Sequence, residues 1–122
     1  MAILHMRGPY VYNDKGIDSN VRYSTPGNYA LGIQSESKNF SIQYVGRAED
    51  SLKNELKYRL GKTSCTHFCY CYAFDAEGSF HKQCIDYHNF KPPLNKEHPK
   101  TAQGKDWKCP VCNKLEKEHN NL

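Results

Sequence analysis

The chain has 122 residues, 38% hydrophobic and 25% charged, with 17 Lys+Arg against 13 Asp+Glu for a formal net charge of +4. That length accommodates one domain with one modest core, and no apolar run approaches the ~20 residues of a membrane-spanning helix. The positive balance is compatible with a nucleic-acid partner without establishing one, and the short opening Met1-Ala2-Ile3-Leu4 falls well below a secretory apolar region, so a cytoplasmic, intracellular protein is expected.

Residues 7–28 mix Gly, Pro, Asn, Asp and Ser with Tyr10, Tyr12 and Tyr23. They read as an irregular N-terminal arm packed by its tyrosines, or as a frayed terminus. Tyr29–Ile33 suggests a short buried strand. After the polar turn 35–39, Phe40–Val45 alternates as a half-buried strand does, and Gly46 closes it. The two read as a β-hairpin. Asp50 and Ser51 are candidate helix caps before Leu52, Leu56 and Leu60, an apolar stripe on a helix over 52–60 that Gly61 ends. Residues 67–74 are dense in strand-favouring aromatics and form a third strand. A turn at Gly78 leads to a helix carrying Phe80, Cys84 and Tyr87 on one face, and Pro92-Pro93 forbids its continuation. Beyond it come a polar loop over 91–107, a Cys-Pro-Val-Cys knuckle and a charged tail over 114–122.

Six cysteines in a short chain raise the possibility of three disulfides. Without a secretory signal, and with several cysteines inside strand-like or helical stretches, metal-binding thiolates in a reducing compartment fit better. Cys109-Pro-Val-Cys112 has the spacing that lets two thiolates meet one tetrahedral ion. Cys84 and His88, four residues apart on a helix, project from one face. A structural Zn²⁺ bound by Cys84, His88, Cys109 and Cys112 is therefore expected, stapling the loop 91–113 to the helix. The alternative is a buried Cys84 and a surface His88. Cys69 and Cys71 share a strand face and read as core residues.

Gly27-Asn28-Tyr29-Ala30-Leu31 resembles the Gly-Ile-Tyr element of the GIY-YIG nucleases, and Tyr44-Val45-Gly46-Arg47 resembles their Tyr-Ile-Gly element. The order of the following helix, strand and helix is similar to that family's. The stretch from His98-Pro99 to Trp107-Lys-Cys-Pro-Val-Cys112 looks like a small branch with a terminal Cys-x₂-Cys. The resemblance covers residues 8–113. It implies one α/β (α+β) domain over 1–122, with a small three-stranded, mainly antiparallel sheet flanked by helices and a zinc-stapled C-terminal loop.

Members of this family cut DNA phosphodiesters with a divalent metal. The resemblance implies that Tyr29 and Tyr44 adjoin on neighbouring strands, one of them positioning the attacking water. It also implies an arginine on the first long helix to neutralise the phosphate and a glutamate on the next to hold Mg²⁺ or Mn²⁺. The chain departs from that pattern, with Glu55 at the arginine position and Gln83 at the glutamate position. Arg59 or Arg47 could reach the phosphate instead, and His81 could take a metal or a proton. Arg47, Lys53, Lys57 and Arg59 supply the positive charge expected to meet DNA, and Asn95 corresponds to a structural asparagine. Three readings follow: a GIY-YIG-type endonuclease, a catalytically degenerate relative that binds nucleic acid or a protein, or a zinc-stapled structural module with no ligand.

Overall fold

The computed structural model describes residues 3–117. Its elements in chain order are β1 (Arg7–Val11), α1 (Asp14–Asn20), β2 (Gly27–Gln34), β3 (Phe40–Ala48), α2 (Leu52–Tyr58), β4 (His67–Tyr72) and α3 (Ala76–Phe90). The fold is α+β. Four strands, not the expected three, form one antiparallel sheet in the order β1-β4-β2-β3.

The fourth strand comes from the segment read as an irregular arm. Arg7 pairs with Tyr70 and Tyr10 with Phe68, and the register slips between Arg7 and Tyr10, where Gly8-Pro9 interrupts the ladder. Proline lacks the N–H that a central strand must donate, so this stretch is tolerated only at a sheet edge. The same arm holds α1, capped by the Asn13 side chain accepting from Gly16 N at 2.7 Å. The arm is ordered because Ile17 and Val21, both fully buried, pack on the sheet.

The central strand β2 is buried along most of its length, since it has a neighbour on each side. Side-chain alternation divides the core between the two faces. On one face Tyr29, Leu31, Phe68 and Tyr70 pack with Ile17, Leu52 and Leu56, so α1 and α2 cover it. On the other, Ala30, Val45 and Cys69 pack with Tyr87 of α3 and with Leu4 and Met6. Ser51 caps α2, its hydroxyl accepting from Asn54 N at 3.2 Å. That helix ends at Tyr58, short of the expected 60, and a turn through Gly61 (φ +80°) follows. The strand expected over 67–74 stops at Tyr72. Asp75 then caps α3 by accepting from Gly78 N at 2.7 Å, so Gly78 lies inside the helix rather than in a turn before it. At its far end Lys91 adopts a left-handed conformation ahead of Pro92-Pro93.

The loop after α3 protects the exposed edge of β3. Asn95 acts as a short strand in itself: its Oδ1 accepts from Val45 N at 2.7 Å and its Nδ2 donates to Val45 O at 2.9 Å. Leu94 N adds a bond to Gln43 O at 2.9 Å. The start of the tail is anchored too, with Thr101 N donating to Glu116 O at 2.8 Å. Residues 118–122 of the expected tail lie outside the described residues. Among the described residues, no helix is long and apolar enough to cross a membrane.

Candidate functional site

Six predicted residues from four elements converge on one groove of about 570 Å³: Tyr29, Tyr44, Arg47, Glu55, Arg59 and Gln83. The groove wraps the edge strand β3. Tyr29 and Tyr44 lie on the face covered by α2, with ring centroids 6.1 Å apart. They sit diagonally, because Tyr29 pairs with Gly46 and Tyr44 with Leu31. Arg47 falls on the opposite face by strand alternation and meets α3 there. Its guanidinium lies 5.1 Å from the centre of the Phe80 ring. Gly46, between the two sets, has no Cβ to obstruct Tyr29; a methyl group there would run into the phenol's Cζ and Oη.

On the α2 side, a single carboxylate oxygen organises the polar groups. Tyr29 OH donates to Glu55 Oε2 at 2.7 Å, and Arg59 Nε donates to the same oxygen at 3.0 Å. The Arg59 guanidinium stacks on Tyr44, 4.7 Å from its ring centre. Tyr29 is fully buried. Burial foremost, then the neighbouring Tyr44 and Glu55, push its phenol well above the usual value, so it remains a proton donor.

Arg47 spans the α3 side. Its Nη1 donates to Gln83 Oε1 at 2.7 Å, its Nη2 to Glu49 at 2.8 Å and to Lys100 O at 2.7 Å. This position does not suit the Mg²⁺ or Mn²⁺ implied by the resemblance. The amide oxygen of Gln83 is neutral and already accepts from a cation, and the nearby Glu49 and Glu55 are bound to Arg47 and Arg59. A hard divalent ion seeks anionic oxygen, and both glutamates of the groove are already paired with arginines.

The structure places the remaining predicted residues elsewhere. Lys53 and Lys57 both bind Asp18 of α1, at 3.3 and 2.7 Å, so they join α1 to α2 rather than line the groove. His81 lies 3.7 Å from Glu77 on its own helix. A second groove of about 800 Å³ shares Tyr44, Arg47, Arg59 and Gln83 with the first and continues along the loop 94–103, adding Lys96 and Lys100.

The metal-ligand expectation is met in part. His88, His98, Cys109 and Cys112 bring one donor atom each within 4.8 Å of one another, a group that could hold a metal ion. His98 takes the place expected for Cys84. It lies 3.3 Å from His88 Nε2 and 3.4 Å from Cys112 Sγ through its own Nε2. Cys84 stays behind the group, fully buried with Phe80 and Cys109. Burial first, then its contact with Cys109, pushes the Cys84 thiol up. At Cys109 burial also opposes ionisation, but the N–H groups of Cys112 and Val111, with His98 and Cys112, bring its pKa down to about 6. Two imidazoles and two thiol sulfurs form a donor set suited to tetrahedral zinc. The six cysteines form no disulfide.

Comparison with known proteins finds no matching family model, no matching curated protein and no matching solved structure.

Proposed function

We propose that this chain is a DNA-binding protein of GIY-YIG nuclease type whose groove takes the phosphate backbone but lacks the charges for metal-dependent cleavage. The observation that carries this reading is the Arg47–Gln83 contact of 2.7 Å, which puts a neutral, already occupied amide where a metal carboxylate belongs. The adjoining tyrosines support it, as do Arg47, Arg59, Lys96 and Lys100 along two merging grooves, where Arg47, Arg59 and Lys100 would exchange Glu49, Glu55 and Glu97 for phosphate. Cations so arranged bind phosphates by displacing counterions, a sequence-independent attraction that salt weakens. His88, His98, Cys109 and Cys112 hold a structural Zn²⁺ that ties the loop over 91–113 to α3.

The test combines binding and cleavage. Duplex DNA binds with an affinity that falls steeply as salt rises, and plasmid DNA with Mg²⁺ or Mn²⁺ is not nicked. Glu55→Arg together with Gln83→Glu produces metal-dependent nicking, which Tyr44→Phe then removes. A folded double variant that is equally inert would break the proposed alignment of α2 and α3 with the nucleases. Absence of DNA binding even at low salt would assign the groove to a protein partner.

A further inference from the structure

We propose that Glu55 is a built-in substitute for a phosphate oxyanion, filling an anion site formed by Tyr29 OH and the Arg59 guanidinium. The inference rests on reading the groove as a phosphate site and adds what keeps that site closed. Glu55 Oε2 accepts from both groups, at 2.7 and 3.0 Å, the donor pairing that a phosphate oxygen seeks.

Neither donor owes its place to Glu55 alone. Tyr29 is buried in the sheet and passes close over Gly46, so its hydroxyl cannot swing away. Arg59 is held by stacking on Tyr44. Glu55 projects from a seven-residue helix, its side chain 27% exposed at the groove against 36% for Arg59. Tyr29 is thus the fixed member of the cluster, and its two charged partners both reach the groove surface. With Glu55 in place, an arriving phosphate meets a carboxylate instead of two free donors, and like charges a few ångströms apart repel. A ligand must therefore move Glu55 out, and the intact chain binds phosphate weakly at this point.

Glu55→Gln removes the charge and keeps the shape, and it tests the idea directly. Binding of inorganic phosphate, and separately of a thymidine dinucleotide with one phosphodiester, is measured by calorimetry on the full chain. The variant is expected to bind at least one probe ~10-fold or more tighter than the unaltered chain. Adding Arg59→Gln to Glu55→Gln returns the affinity to the starting level. Tightening for inorganic phosphate alone supports the internal anion and counts against a backbone-binding groove. Tightening for the dinucleotide supports both. Unchanged affinity for both probes in a variant that melts normally overturns the proposal and leaves DNA binding along the wider groove standing. Should Glu55→Gln unfold, Glu55→Ser provides the same comparison. On the unaltered chain, saturating phosphate must shift the Arg59 Nε–H resonance, and an unmoved signal overturns the proposal as well.

Discussion

Replacing Gly46 by alanine sets two opposed effects against each other, and the structure decides between them. Removing a glycine restricts the unfolded chain and by itself stabilises a strand by roughly 0.4–1 kcal/mol. At this position the added Cβ would run into Cζ and Oη of Tyr29, the side chain with which Gly46 is in register. Tyr29 is fully buried, beside Tyr44 and under α2, so it cannot retreat to solvent. Overpacking of this kind costs about 1–3 kcal/mol. Pushing the phenol aside also breaks its hydrogen bond to Glu55, and a bond to a charged partner adds about 1.5–3 kcal/mol. The net expectation is a loss of about 1.5–5.5 kcal/mol, or ~5–28 °C in melting temperature for a domain of this size. Thermal and urea unfolding followed by circular dichroism measure it, and Gly46→Ala/Tyr29→Phe should recover only part, because the ring itself still clashes. A single variant that melts at or above the unaltered chain would show that the glycine is not needed for the phenol's approach.

Two further outcomes follow from groups outside the groove. The chain should bind one equivalent of zinc, and a strong chelator should lower its melting temperature by ~10 °C or more. His98→Ala and Cys112→Ser should lose the metal while Cys84→Ser keeps it; the reverse pattern would return Cys84 to the ligand set. Asp86 is 1% exposed, with one carboxylate oxygen bonded to Lys82 at 2.9 Å and the other without a partner among the described residues. Burial raises its pKa, although Lys82 pulls the other way. The native chain then holds this proton more tightly than the unfolded chain does, so the group's contribution to stability is present below the usual carboxylate pKa. That contribution falls as pH rises through the folded value. Asp86→Asn is expected to gain stability relative to the unaltered chain as pH rises from about 4 towards 7, and denaturant midpoints that stay parallel over that range would refute it.

Local pattern alone made much of the molecule legible. The leucine stripe placed α2, alternation placed the first part of β3, which runs on through Gly46 to Ala48, and the aromatic run placed β4, because each signal arises within one element. The two tyrosine motifs pick out Tyr29 and Tyr44, whose rings adjoin in the fold. Strand β1 was hidden because its Gly8-Pro9 is unfavourable for a strand until an edge position makes the missing N–H harmless. Helix α1 was hidden because seven residues with one buried side chain, Ile17, leave no periodic signature.

At the sites the division has the same origin. Cys109 and Cys112 were visible from their spacing, as was His88 from its place on a helix. His98 was not, because no repeat relates a loop residue to the helix on which it folds. Lys53 and Lys57 are set against Asp18 of α1, a pairing that no local spacing announces. Residue types and short-range spacing belong to the chain itself and determined which chemistry was present. Which anion faces which cation depends on contacts between residues far apart in sequence, and only folding brings those together.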